Sequence, residues 1–129
     1  MKLRVDHIAI WTADLERLKS FYITHFGAIA GARYENPARG LRSYFLSFAG
    51  GARLELMSIE GLHEVDNAEP RAGYAHLALS AGSKDAVDAL TERLGVAGVE
   101  IVDGPRQTGD GYYESVALDP DGNRIEITV

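Results

Sequence analysis

The amino-acid sequence predicts an α+β fold in which two tandem βαβββ modules form a curved mixed sheet. Three observations carry that expectation. The strand pattern VDHIAIW (5–11) returns as YAHLALS (74–80), a helical stretch follows each copy, and RLELMS (53–58) at the end of the first half returns as RIEITV (124–129). The spacing is also repeated, since Glu55 lies 48 residues beyond His7 and Glu126 lies 50 beyond His76. One domain spanning 1–129 is therefore expected, with module one at 1–60, a linker at 61–71 and module two at 72–129.

Each element has a local reason. The opening strand, expected near 3–11, alternates apolar and polar residues, the mark of a half-buried strand. In DLERLKSFYITHFG, Leu15, Leu18, Phe21, Tyr22 and Phe26 recur at helical spacing, Asp14 is placed to cap the start, and Gly27 stands where a helix commonly ends. Strands near 29–35, 41–49 and 52–59 complete the first half. The stretch EGLHEVDNAEPR is polar, acidic and aperiodic, and reads as the linker. In the second half a strand near 72–80 precedes SKDAVDALTERLG, whose Ala86, Val87, Leu90 and Leu94 form an apolar stripe between Ser83 as cap and Gly95 as terminator. Strands near 98–102, 110–118 and 123–129 follow. GPRQTGDGYY (104–113) has the glycine content of a mobile loop able to close over a ligand. DPDGN reads as a tight turn in which Asp119 and Asp121 bond nearby backbone amides.

Composition narrows the functional classes. The chain has 129 residues, 46% of them hydrophobic and 25% charged, as expected of a globular domain. Its 13 basic and 19 acidic residues leave a net charge of −6, which disfavours a nucleic-acid backbone or an anionic membrane as partner. An anionic substrate stays open, because a local pocket or bound ion overrides the global field. Cysteine is absent, which removes disulfides, thiolate nucleophiles and cysteine-ligated metals. The first twenty residues carry charges throughout and contain no long apolar run, so neither a signal peptide nor a membrane span is expected there, and a cytoplasmic location is the default.

Strand alternation then separates two faces. Ile8 and Ile10 share a face with Leu54 and Leu56, leaving His7, Ala9, Trp11, Arg53, Glu55 and Met57 on the other. The second half repeats this, with His76, Ala78, Ser80, Arg124, Glu126 and Thr128 opposite Leu77, Leu79, Ile125 and Ile127. A solvated face would carry longer polar side chains than alanine, tryptophan and methionine. Two imidazoles and two carboxylates on the non-core face are a donor set for a divalent metal, so His7, Glu55, His76 and Glu126 are the expected ligands in a cleft of the curved sheet. Such a set suits Zn²⁺, Ni²⁺, Co²⁺ or Mn²⁺, one ion per site. His25 reads as a helix-terminal residue and His63 as solvated. Tyr44, Phe45, Phe48, Trp11, Met57 and Tyr112 are available to line a pocket. Arg53 and Arg124 either bind a carboxylate or phosphate at its rim or pair with glutamates on neighbouring strands.

The stretches DHIAIWTADLERLKSFY, GARLELM, GYAHLALS and ESVALDPDGNRIEI resemble the glyoxalase, bleomycin-resistance and extradiol-dioxygenase superfamily, the vicinal oxygen chelate proteins. The resemblance spans essentially the whole chain, and the residue set is similar to the two-histidine, two-glutamate glyoxalase I branch. It implies a metal-dependent lyase or isomerase acting on a small 2-oxoaldehyde-derived thiohemiacetal, or a related 2-oxo or 2-hydroxy compound, through an enediolate. Glu126 is implied as the proton-transferring base, with Glu55 acting at the opposite face. The resemblance also implies a homodimer and a small-molecule substrate, with each site built within one chain or across two. A thiol cosubstrate is compatible with it. Glutathione is disfavoured, because Trp11 stands where glutathione-type relatives carry an arginine. The alternatives from the same superfamily are an antibiotic-type binding or resistance protein and a metal-dependent epimerase.

Overall fold

Residues that alternate in character along a strand force that strand to choose which face it buries, and here the choice is made twice in the same way. The structure is a computed structural model describing Met1–Val129. Its chain divides into two units, Met1–Val65 and Asp66–Val129. The first contains β1 (His7–Trp11), α1 (Leu15–Phe26), β2 (Ile29–Ala30), β3 (Tyr34–Asn36), a 3₁₀ turn (Pro37–Arg39), β4 (Leu41–Ser47) and β5 (Arg53–Ile59). The second contains β6 (His76–Ser80), α2 (Lys84–Val96), β7 (Ile101–Gln107), β8 (Tyr113–Leu118) and β9 (Arg124–Thr128). The fold class is α+β, as expected, and no helix is long and apolar enough to cross a membrane.

Both sheets are mixed and have the same order. In the first, β1-β5-β4-β2 run side by side with β3 also on β4; in the second, the order is β6-β9-β8-β7. The first and last strands of each unit are parallel neighbours, β1 with β5 and β6 with β9, while the remaining pairs are antiparallel. A helix packs against each sheet. Leu15, Leu18, Phe21 and Tyr22 of α1 are buried, as are Tyr44, Leu46, Leu54 and Leu56 on the apolar face of β4 and β5. In the second unit Val87, Thr91 and Leu94 of α2 are buried, together with Ala117, Ile125 and Ile127 of β8 and β9. Thr91 interrupts an apolar stripe without leaving polar atoms unmet. Its hydroxyl donates to the Val87 carbonyl at 2.6 Å and accepts from the Ser115 hydroxyl at 2.7 Å.

The expected caps form. The Asp14 carboxylate accepts from the Arg17 amide at 3.1 Å, and the Ser83 hydroxyl accepts from the Ala86 amide at 3.1 Å. Gly27 takes the left-handed conformation that ends α1. α2 runs past Gly95 to Val96, and the left-handed residue after it is Gly98. In the DPDGN turn the Asp119 carboxylate accepts the Asp121 and Asn123 amides, both at 2.9 Å.

Several strand boundaries differ from expectation. β1 and β6 start four residues late, at His7 instead of 3 and His76 instead of 72, because β5 and β9 begin opposite them at Arg53 and Arg124 and offer no partner farther back. The strand expected at 29–35 is split into β2 and β3, since only its two ends pair with β4. The loop expected at 104–113 shrinks to the turn at 108–112, where the Thr108 amide donates to the Tyr112 carbonyl at 2.7 Å; residues 104–107 belong to β7. β7 is an edge strand with register shifts on either side of Asp103, so Pro105 removes no needed donor and the glycine-proline pair did not look like a strand.

Gly104 is required by a close approach. Its φ is +72°, and a Cβ there would sit 2.5 Å from the Glu114 carbonyl oxygen and 3.0 Å from the Ser115 Cα. Gly104→Ala is expected to destabilise the fold by about 2–4 kcal/mol, from left-handed strain plus backbone collision. Urea unfolding followed by circular dichroism measures this, and a loss below about 0.5 kcal/mol would contradict the close approach.

Candidate metal centre

The parallel registers decide which side chains meet. His7 is opposite Arg53, Ala9 opposite Glu55 and Trp11 opposite Met57; on the antiparallel side Phe45 is opposite Glu55. All of these lie on the face turned away from α1. In the second unit His76 is opposite Arg124, Ala78 opposite Glu126 and Ser80 opposite Thr128, with Val116 flanking Glu126 from β8.

Each unit brings one imidazole to one carboxylate. The His7 Nε2 is 3.8 Å from the Glu55 Oε1, and the His76 Nε2 is 3.2 Å from the Glu126 Oε2. The alanines between the pairs, Ala9 and Ala78, leave room above the strands. The histidines are about equally exposed, at 39% and 38% of their side-chain surface, while the glutamates are more covered. The structure thus joins the four expected ligands as two pairs, His7 with Glu55 and His76 with Glu126. No group of three or more His, Asp or Glu side chains positioned to hold an ion occurs.

Residues around the pairs correct the sequence reading. Tyr44 faces α1, where its hydroxyl donates to the Glu16 Oε1 at 2.7 Å, so it does not line the His7–Glu55 face. Phe45 does, its ring 5.1 Å from the His7 ring in an edge arrangement. Trp11 is half exposed on that face. His25 lies against Phe21 with ring centroids 5.0 Å apart, and His63 is exposed.

Two acidic residues escaped the sequence reading. Asp6 accepts from the His7 Nδ1 at 2.7 Å and, through the same oxygen, from the Arg53 Nη2 at 2.7 Å. The His7 hydrogen bond, and then Arg53, hold the Asp6 carboxyl below the usual carboxylate range. An ionised carboxylate can only accept, so Nδ1 carries a proton toward Asp6 and Nε2 is the nitrogen turned to Glu55. Arg53 also lies over the Phe45 ring at 4.4 Å. The signal for Asp6 was its place directly before a histidine. The second residue is Glu114, on the same face as Glu126 and in hydrogen-bonding contact with it. Desolvation first, and then the Glu126 contact, push its carboxyl above the usual range. Superposing the repeats on Phe45 and Val116 would have revealed it, because Ser43 holds the matching place in the first unit.

The whole-chain pattern matches a known family. The model of the glyoxalase/bleomycin resistance protein/dioxygenase superfamily matches residues 4–127. The chain belongs to that superfamily. It is 34% identical over 124 residues to the uncharacterised protein YwkD of Bacillus subtilis, covering 95% of this chain and 94% of that one. Among solved structures, a single-site variant of glyoxalase I from Zea mays aligns at 26% identity with a TM-score of 0.79, covering 97% of this chain; the chain spans only 44% of the maize protein. The trypanothione-dependent glyoxalase I of Leishmania major aligns at 25% identity and a TM-score of 0.78, covering 98% of this chain and 86% of that one. The superfamily therefore includes enzymes of the glyoxalase I type.

Two outcomes follow for the metal-free protein. Asp6→Asn is expected to loosen the hold on the His7 ring, read as a shift of its imidazole ¹⁵N resonances; unchanged resonances would remove Asp6 as the orienting group. For Glu114, a raised folded-state pKa means that stability is full below the unfolded value of about 4.5 and is lost as pH rises through the folded value. Glu114→Gln is therefore expected to raise Tm at pH 7 and leave it unchanged near pH 4, measured by thermal melts across that range.

Proposed function

We propose that this chain is a divalent-metal-dependent lyase or isomerase of the glyoxalase I kind, acting on a small 2-oxoaldehyde-derived thiohemiacetal or a related 2-oxo or 2-hydroxy compound through an enediolate. The observation that carries the proposal is the duplicated pair: an imidazole Nε2 facing a carboxylate oxygen at matched positions of two repeats, on the face that the helix leaves open.

The donors suit a metal. Two ligands held about 2.1 Å from one ion lie roughly 3.0–3.4 Å apart, depending on coordination geometry. The His76–Glu126 separation of 3.2 Å falls in that range, and the His7–Glu55 separation of 3.8 Å needs only a small closure. His7, Glu55, His76 and Glu126 would hold the ion, with Zn²⁺, Ni²⁺, Co²⁺ and Mn²⁺ all acceptable to this set. When bound, the ion supplies Lewis acidity that makes a C–H beside a carbonyl acidic enough for a carboxylate to deprotonate.

The remaining work belongs to the chain's own side chains. Glu126 takes the proton from the substrate carbon and returns it to the neighbouring carbon, and Glu55 serves the opposite face. Asp6 holds the His7 ring through Nδ1, which leaves Nε2 as the nitrogen presented to an ion. Phe45, Ala9 and Met57 give the first pair an apolar surround, which strengthens charge interactions made there. A homodimer is the proposed assembly.

Glu126→Gln is expected to lower kcat by about 10²- to 10⁴-fold against methylglyoxal hemithioacetals of a thiol panel. Glu55→Ala is expected to empty the site of metal, read by elemental analysis. Mixing His7→Ala with Glu126→Gln protein tests the assembly, since regained activity means that each site draws one pair from each subunit. The half-exposed Trp11 on the His7 face favours one other reading, a binder of aromatic small molecules. Micromolar binding of such compounds by metal-loaded protein, with no turnover and no effect of Glu126→Gln, would establish that reading in place of the enzyme.

A further inference from the structure

The two repeats share their ligand pairs but not the charges around them. Arg53 and Arg124 occupy matching positions, each directly across a parallel ladder from its histidine and two residues before its glutamate. In the first unit Asp6 holds the Arg53 guanidinium at 2.7 Å, and the Phe45 ring lies beneath it. The residue matching Asp6 in the second unit is Ala75, and the residue matching Phe45 is Val116. Both supports are therefore missing around Arg124.

Arg124 finds no substitute for them. It is half-buried, and it makes no hydrogen bond, ion pair or ring contact, whereas Arg71 and Arg106 of the same unit each have a partner. Glu126, two residues away on the same face, is turned to His76, and Glu114 is turned to Glu126. A guanidinium that is partly removed from water and met by no anion is an open two-point donor beside the His76–Glu126 pair.

We infer that Arg124 receives a carboxylate borne by the substrate, away from the carbon that exchanges its proton. The inference rests on the reading of the His–Glu faces as substrate-binding and narrows the substrate class to carboxylate-bearing compounds. A carboxylate fits better than a phosphate dianion, because Glu114 and Glu126 already make this face acidic and one guanidinium matches one carboxylate edge. Arg53 is excluded from the role by Asp6, so one arginine of the repeated pair braces the fold and the other binds.

The test uses two unreactive thioethers of acetone, 3-(2-oxopropylthio)propionate and 3-(2-oxopropylthio)propanol, which differ only in carboxylate against hydroxyl. Isothermal titration of the zinc-loaded protein should show the carboxylate binding about tenfold tighter or more, the size expected of a charge-assisted hydrogen bond. Arg124→Gln should abolish the preference and Arg124→Lys should keep part of it, while Arg53→Gln keeps it whatever happens to overall affinity. Equal binding of the two compounds by the wild-type chain overturns the inference, as does a preference that survives Arg124→Gln or disappears in Arg53→Gln. Turnover of the matching hemithioacetals is scored separately. A carboxylate preference without turnover upholds Arg124 and removes the lyase reading, and turnover without a preference does the reverse.

Discussion

Both His–Glu pairs depend on one constraint, the parallel register between the first and last strands of each unit. In β1 and β5, Ile8 is level with Leu54 and Ile10 with Leu56; in β6 and β9, Leu77 is level with Ile125 and Leu79 with Ile127. These rows pin the register because Leu54, Leu56, Ile125 and Ile127 are fully covered. A one-residue slip would turn each pair of buried side chains outward, forfeiting about 1.5–3 kcal/mol per residue, and would drive Glu55 or Glu126 into the core. The apolar face thus decides where the polar face stands, and the functional residues contribute little to their own placement.

That division of labour explains how the face can carry uncomfortable electrostatics. Glu114 lies against Glu126, and Arg124 lacks an anion, arrangements that oppose stability. They persist because α2 and its buried Val87 and Leu94 hold the sheet from the other side. The first unit is the calmer copy, since Asp6 satisfies His7 and Arg53 together and Phe45 covers the guanidinium. The two units share one frame and differ around it at Asp6/Ala75, Ser43/Glu114 and Phe45/Val116.

Much of this was legible in the residues. The repeat, the caps at Asp14 and Ser83, the DPDGN turn and the face assignment of His7, Glu55, His76 and Glu126 all followed from periodicity and local hydrogen-bonding chemistry, because each depends on neighbours within a few positions. The misreadings share a cause. The far end of β7, beyond the strand expected at 98–102, was hidden by Gly104 and Pro105, whose tolerance depends on β7 being an edge strand and on the backbone of β8 passing close to Gly104. The role of Tyr44 was undecided because alternation separates two faces without saying which one meets a helix. Glu114 looked like any strand glutamate until its neighbour across the ladder was known.

By itself, then, the sequence determined the class of fold, the element order within each repeat and the chemical character of the open face, since periods of two and 3.6 residues and cap residues act over short range. Only the tertiary structure decided register, and with it every relation between residues distant along the chain. The Asp6–Arg53 link, the Phe45 ring beside His7, the contact of Glu114 with Glu126 and the solitary position of Arg124 are all of that kind. Such relations are set by which strand lies beside which, and that choice is made by how the apolar faces pack against the helices.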